Sequence, residues 1–186
     1  MKKRMARVCA AFLSGVALWG FAAETGTTVI PVDSPAFVFS PGNWAGDQGR
    51  GGKAFRQTWN PGAYFRVSWE SSTNVWPTLL LDTSTHGGKF GAPKLAYCLD
   101  GIWSGDVPCA KEIPLNGARP SGKHALTVFL KSSMQMERWG AAGVSGSNVL
   151  RVAGLRVETG AKPLPAAART QWALIIGDSI TEGVGA

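Results

Sequence analysis

The sequence predicts a mainly β protein: an antiparallel jelly roll or β-sandwich, followed by the first strand and turn of an α/β domain. Three observations support this fold class. Short runs of alternating apolar and polar residues recur between turn residues. The 186 residues include 24 Gly and 11 Pro but only 17% charged residues, a composition that suits a β-rich extracellular domain. After Glu158 the alternating runs end, and a stretch rich in Pro and Ala is followed by the continuous apolar run "WALII".

The individual strands follow from the alternation. In "GAYFRVSWE" four apolar residues alternate with polar ones or Tyr, which places one face inward and the other outward. "HALTVFLKS" has the same pattern. Further strands are predicted for "AFVFS", "PTLLLD", "KLAYCLD", "KEIPL" and "NVLRVAGLRVE". Seven or more such runs predict a sandwich over residues 29–160. No helical stretch in this region is long enough to suggest βαβ units.

The N-terminus predicts a secretory signal peptide over residues 1–22. "MKKRMAR" is a basic n-region, and an apolar stretch and small residues follow it. The alternative is a retained membrane anchor, but about 16 apolar residues fall short of the roughly 20 that cross a bilayer. Cleavage removes four basic residues and lowers the net charge from +7 to +3. We therefore expect a secreted or periplasmic protein with no stable membrane anchor and no nucleic-acid partner.

Two cysteines remain after the signal. Cys98 and Cys109 bracket "CLDGIWSGDVPC", which we interpret as a loop because it contains several Gly and Pro residues. In an oxidising compartment these cysteines are predicted to form a disulfide. A metal site is the alternative, but no His or further Cys lies at ligand spacing, so no metal ion and no other cofactor is expected.

The chain after Glu158 predicts a linker and a second domain. Residues 161–171 contain two prolines and three consecutive alanines, which suits an ordered linker. Residues 172–186 begin with "WALII", a run typical of a strand buried on both faces of a parallel sheet. "GDSITEG" follows, and a strand, a tight turn and a hydroxyl residue at a helix start form a nucleophile elbow.

This last block resembles the first sequence block of the SGNH, or GDSL, hydrolases. The resemblance implies that Ser179 is the nucleophile and that its backbone N–H is part of the oxyanion hole, while Gly177 and Asp178 support the turn. The upstream region is similar to the jelly roll that precedes this block in family 2 carbohydrate esterases, through "WNPGAYFRVSW", "YCLDG" and "SGKHALTVFLKSS". The resemblance implies an esterase that acts on acylated, above all acetylated, carbohydrate.

A serine hydrolase also needs a base to accept the hydroxyl proton. In SGNH enzymes that base is a His in a downstream Asp-x-x-His block, and seven residues follow Ser179 here. We therefore expect the chain to be truncated and inactive alone. His86 and His124 are interpreted as surface or structural residues rather than as substitutes for the base.

A second hypothesis comes from six tryptophans, because aromatic faces stack on sugar rings. They are Trp44, Trp59, Trp69, Trp76, Trp103 and Trp139. Trp69 lies on the apolar face of its strand and is predicted to be core. Trp103 and Trp139 lie among glycines and are the better candidates for a sugar platform. The alternative to an esterase is therefore a non-catalytic carbohydrate-binding or accessory β-sandwich, and carbohydrate is the expected partner in both cases.

Overall fold

The computed structural model describes residues 26–46, 54–86, 92–117, 121–133 and 149–166. These ranges contain eleven β-strands and no helix that is long and apolar enough to cross a membrane. The strands are β1 (Thr27–Pro31), β2 (Phe37–Phe39), β3 (Arg56–Thr58), β4 (Tyr64–Ser71), β5 (Thr78–Leu81), β6 (Lys94–Leu99), β7 (Ile102–Pro108), β8 (Glu112–Pro114), β9 (Gly122–Ser132), β10 (Leu150–Glu158) and β11 (Lys162–Leu164).

The strands form two antiparallel sheets that face each other. The five-stranded sheet has the order β1-β10-β5-β8, with β3 also paired to β10. The six-stranded sheet has the order β11-β4-β9-β6-β7, with β2 also paired to β4. Buried apolar residues of both sheets form one core cluster between them. The structure is thus a β-sandwich, as the sequence predicts.

The strand pairing identifies the sandwich as a jelly roll. β6 pairs with β7, β5 with β8, β4 with β9, and β1 with β10, so that each pair encloses the previous one along the chain. Successive pairs alternate between the two sheets. A nest of antiparallel pairs rolled into two sheets is the jelly-roll topology. This part of the predicted fold class is confirmed.

The core follows from the alternation seen in the sequence. Along β4, Phe65, Val67 and Trp69 are at most 1% exposed, while the residues between them are half-buried or exposed. Leu126, Val128 and Leu130 of β9 are likewise buried. Complete burial of a large apolar side chain contributes about 1.5–3 kcal/mol. The period of two therefore places the stabilising residues on one face of each strand.

The segment between the two cysteines is a hairpin and not a loop. β6 and β7 are joined through Asp100 and Gly101, whose φ angles are 53° and 87°. Positive φ at both central positions is the requirement of a type I′ turn, and Asp-Gly is among its preferred sequences. The segment therefore contained a strong hairpin signal, which its Gly and Pro content obscured.

The predicted disulfide between Cys98 and Cys109 is wrong, and the hairpin explains why. Both thiols are free. Cys98 pairs with Trp103 near the turn, whereas the amide of Cys109 donates to the carbonyl of Pro93 at 2.8 Å, at the other end of the hairpin. Five positions along an extended strand separate the cysteines by roughly 16 Å. A disulfide requires Cα atoms within about 7 Å.

The end of the described chain remains attached to the sandwich. β11 lies within residues 161–171, the predicted linker, and pairs with β4 at Lys162–Glu70 through Leu164–Ser68. The amide of Ala166 donates to the carbonyl of Pro35. The first residues of this segment therefore extend the six-stranded sheet.

Candidate functional site

The predicted nucleophile elbow lies outside the described residues, which end at Ala166. Ser179, Gly177 and Asp178 are therefore not placed relative to the sandwich. Trp139, one of the two predicted platform residues, lies in residues 134–148 and is likewise outside the described ranges. Of the predicted site residues, the structure places Trp103 and the two cysteines.

Trp103 belongs to a group of aromatic side chains on the outer face of the six-stranded sheet. It lies on β7 with 64% of its surface exposed. Its ring is nearly parallel to that of Phe129 on β9, with centroids 5.8 Å apart and an interplanar angle of 24°. Phe129 in turn contacts Tyr64 on β4, with centroids 5.7 Å apart. We call Tyr64, Phe129 and Trp103 the aromatic row.

Small side chains beneath Trp103 allow the row to form. β6 lies between β9 and β7, so Phe129 and Trp103 start from strands roughly 9–10 Å apart. Their rings approach to 5.8 Å because the residues of β6 opposite them are Ala96 and Cys98. The two aromatic side chains therefore lean over a shallow strip of small residues.

Polar side chains flank the aromatic row along the strands. On one side Lys131 Nζ donates to Asp106 Oδ1 at 2.7 Å, and both side chains are exposed. The hydrogen bond and the charge of Lys131 hold the pKa of Asp106 below its ordinary value. On the other side Arg66 and Thr127 form the next outward-facing cross-strand pair. Hydrogen-bond donors and acceptors thus border an apolar strip.

His124 is enclosed at one end of the sandwich. It is 4% exposed, its ring stacks on Trp69 with centroids 5.0 Å apart, and its Nδ1 lies 2.7 Å from Asp100 Oδ2. The other carboxylate oxygen of Asp100 accepts the amide of Ala125. A general base must reach the proton that it removes. His124 is instead positioned to join the hairpin turn to β9.

His86 also has a local structural contact. Its Nε2 lies 2.8 Å from the carbonyl oxygen of Val149, and its backbone amide donates to Thr83. The contact connects the segment after β5 to the residue before β10. In the described ranges, no group of three or more His, Cys, Asp or Glu side chains is arranged to hold a metal ion.

The outer face of the five-stranded sheet has a different character. A cavity of about 870 Å³ opens there between β1, β5, β8 and β10. Arg156 and Glu112 both line this cavity. The Arg156 guanidinium donates two hydrogen bonds of 2.8 Å to the Glu112 carboxylate. Arg151, nearby on the same face, bonds to Gln57 Oε1 at 3.0 Å and to Asp82 Oδ2 at 3.1 Å. The arginines of this face are thus paired with acceptors from neighbouring strands.

The nested strand pairs in two sheets define a class of protein, a jelly-roll β-sandwich. A solved structure with a similar fold is that of a family two carbohydrate esterase from Cellvibrio japonicus, with a TM-score of 0.52 and 15% sequence identity. The similarity covers 77% of this chain and 36% of that one. At this identity the similarity shows the fold, and the predicted resemblance is confirmed at that level.

Two further structures are similar to a lesser degree. A two-domain esterase active on acetylated mannans, co-crystallised with mannopentaose, has a TM-score of 0.46 at 12% identity and covers 72% of this chain and 36% of that one. An active-site mutant of a family two carbohydrate esterase from Clostridium thermocellum has a TM-score of 0.42 at 14% identity, with 73% and 34% covered. The chain thus spans about a third of the length of these esterases. No protein-family model and no curated protein matches the sequence.

Sequence reasoning missed two members of the aromatic row. Tyr64 and Phe129 occupy outward positions of their strands, between the residues that alternate into the core. A large aromatic residue at an outward position was the available signal. The sequence alone did not reveal that β4 and β9 are neighbours, with Tyr64 opposite Phe129.

Proposed function

We propose that this chain is the N-terminal part of a secreted serine esterase that removes acyl groups, acetyl foremost, from carbohydrate. The observation that carries the proposal is a jelly roll with the fold of a family two carbohydrate esterase, followed in the same chain by the Gly177–Asp178–Ser179 block. Either feature alone is common to several functions. Their order along one chain supports the esterase.

The proposed chemistry assigns Ser179 the role of nucleophile. Its hydroxyl oxygen attacks the ester carbonyl, the alcohol of the sugar leaves, and water then hydrolyses the acyl-enzyme. The backbone N–H of Ser179 donates to the oxyanion that forms during the attack. The base that accepts the serine proton is expected in a segment beyond Ala186, because His124 is enclosed in the sandwich and His86 contacts Val149.

The test compares three proteins on an acetylated polysaccharide and on a small acetyl ester. The 186-residue chain is expected to show negligible hydrolysis. A protein extended by the coding sequence that follows Ala186, through an Asp-x-x-His block, should be active, and Ser179→Ala should lower its kcat by at least about 10³-fold. An active extended enzyme that tolerates Ser179→Ala would contradict the assignment, as would the lack of an Asp-x-x-His block within about one domain length.

Secretion is a separate part of the proposal and has its own test. If residues 1–22 are a cleaved signal, mass spectrometry of the exported protein should find a mature N-terminus close to residue 23. Recovery of the intact N-terminus in the membrane fraction would favour the anchor instead. This result would leave the ester chemistry untouched.

A further inference from the structure

We propose that Asn116 is a site of spontaneous covalent modification, at which the side-chain amide is lost and isoaspartate forms in the main chain. The site lies shortly after the end of β8, in the sequence Asn116–Gly117. The reaction involves neither Ser179 nor an ester, so it is independent of the proposed hydrolase activity.

The chemistry is an intramolecular ring closure. The main-chain nitrogen of Gly117 attacks the side-chain carbonyl carbon of Asn116, and a C–N bond forms. The side-chain nitrogen leaves as ammonia after taking up the proton that the Gly117 nitrogen loses. Water then opens the succinimide ring at either of its carbonyls and gives aspartate or isoaspartate. Because the two reacting groups belong to adjacent residues, water is the only other reactant, and the product carries a new negative charge.

The first argument for this site is that both reacting groups are accessible. The side chain of Asn116 is exposed. Within the described ranges, neither this side chain nor the amide of Gly117 has a hydrogen-bond partner. The backbone amide of Asn116 itself donates to the hydroxyl oxygen of Tyr97 at 3.4 Å. An unbonded side chain can rotate toward the next amide, and an unbonded amide can lose its proton to water.

The second argument is that the fold requires glycine at position 117. A Cβ atom there would lie 2.9 Å from Cγ and Cδ2 of Leu99 and 3.3 Å from the ring of Trp76. Leu99 is fully buried in the core cluster, so a larger residue at position 117 would displace packed side chains. The missing side chain also removes the steric hindrance to attack by this nitrogen. Close packing therefore places Asn116 beside the least hindered nucleophile.

The third argument is a comparison with the other asparagines. Asn74 is also exposed, in the segment between β4 and β5, but Val75 follows it and its branched side chain crowds the attacking nitrogen. Asn60 precedes Pro61, whose nitrogen carries no proton. Of all the asparagines in the sequence, Asn116 alone precedes a glycine. Exposure is thus common to Asn74 and Asn116, and the following residue distinguishes them.

The modification falls between two anchored residues. Leu115 is 0% exposed, and its amide donates to the carbonyl of Pro77 at 3.0 Å. Gly117 on the other side packs against Leu99. Isoaspartate lengthens the main chain by one methylene group, so both anchors cannot keep their positions. Aspartate leaves the main chain unchanged, and we therefore expect isoaspartate to be the destabilising product.

The experiment follows the full 186-residue chain during incubation at mildly alkaline pH, since the Gly117 nitrogen must lose its proton. Peptide mass spectrometry measures the conversion of amide to carboxylate at each asparagine. Asn116 should react at least about tenfold faster than Asn74, which corresponds to a barrier lower by about 1.4 kcal/mol. Asn116→Gln should remove the fast-forming acidic species. Asn74→Gln is the matched control and should leave the rate at Asn116 unchanged.

Incubation in urea supplies the rate of the unfolded chain. Folded and unfolded protein should react at Asn116 with rates within about tenfold of each other. A folded chain that reacts much more slowly than this would show that the sandwich protects the site, and equal rates at Asn116 and Asn74 would equally overturn the proposal.

The products test the expected change in the main chain. Electron-transfer fragmentation, which distinguishes the two isomers, should find isoaspartate at position 116. The incubated wild type should unfold at a lower temperature than Asn116→Asp, which carries the new charge without the longer main chain. Formation of aspartate alone, or equal unfolding temperatures, would contradict the proposed modification of the main chain.

Discussion

The two outer faces of the sandwich use their large side chains differently. On the five-stranded sheet, Arg151 and Arg156 bond to acceptors on adjacent strands. On the six-stranded sheet, Phe129 contacts both Tyr64 and Trp103, and 64% of the surface of Trp103 is exposed. The first arrangement joins strands through hydrogen bonds and ion pairs, while the second joins them through ring contacts. The five-stranded face therefore relies on ion pairs and hydrogen bonds, and the six-stranded face on contacts between aromatic rings.

The largest expected effect is the difference in stability between a substitution on the inner face of the six-stranded sheet and one on its outer face. Trp69→Ala removes a side chain that is 1% exposed and should cost about 3–5 kcal/mol of unfolding free energy. Trp103→Ala removes one that is 64% exposed and should cost no more than about 0.5 kcal/mol. Urea unfolding of both variants measures the difference. A large loss in Trp103→Ala would assign the aromatic row to folding.

The next largest effect concerns stability at alkaline pH and depends on Cys109, which is buried in the core between the two sheets. Burial raises the pKa of the Cys109 thiol from 9.0 to about 12. Between these values the unfolded chain releases the thiol proton and the folded chain keeps it, so stability must fall as the pH rises. At pH 11 the expected loss from this thiol is about 3 kcal/mol.

The test of this loss is a comparison of urea unfolding at pH 8 and pH 11. Cys109→Ala should lose less stability over this interval than the wild type, because tyrosine and lysine titrations are common to both proteins. Equal losses would show that the thiol of Cys109 reaches water in the folded state.

The third effect tests the five-stranded face. Arg151 has an 11% exposed side chain, bonds to Gln57 and Asp82, and lies over the ring of Phe55 at 4.5 Å. Arg151→Ala leaves the fully buried Gln57 without this donor and should cost about 2 kcal/mol. Arg156→Ala is the matched control and should cost less, since its ion pair with Glu112 is more exposed. A reversed order would contradict the assigned role of Arg151.

The dependence of stability on pH under acidic conditions gives an independent check of the contact between Arg151 and Asp82. Burial acts to raise the pKa of Asp82, but hydrogen bonds from Ser84 and Arg151 and the charge of Arg151 lower it below 3.8 overall. A lowered pKa stabilises the folded state above the unfolded value, and this stability is lost as the pH falls through the folded value. Arg151→Ala should therefore flatten the loss of stability below about pH 4. If Arg151→Ala loses stability at low pH as the wild type does, the loss comes from other carboxylates.

More of the fold than of the candidate site could be predicted from the sequence. Alternation places β4 and β9 correctly, because half-burial imposes a period of two on any strand in a sandwich. β7 was missed because Gly105 and Pro108 resemble loop residues, and that error led to the wrong disulfide. The aromatic row could not be assembled from sequence, since its members lie on β4, β9 and β7, whose order depends on long-range pairing.

The nested strand pairs also set the order in which the protein can fold. The β6–β7 hairpin closes through Asp100 and Gly101 alone, so its nucleation costs little loop entropy. The outermost pair joins Thr27 to Glu158 and requires almost the whole described chain. Topologies dominated by such distant contacts fold in milliseconds to seconds. During synthesis β1 therefore emerges early and must wait for β10, with its edge unpaired and available to other chains until the roll closes.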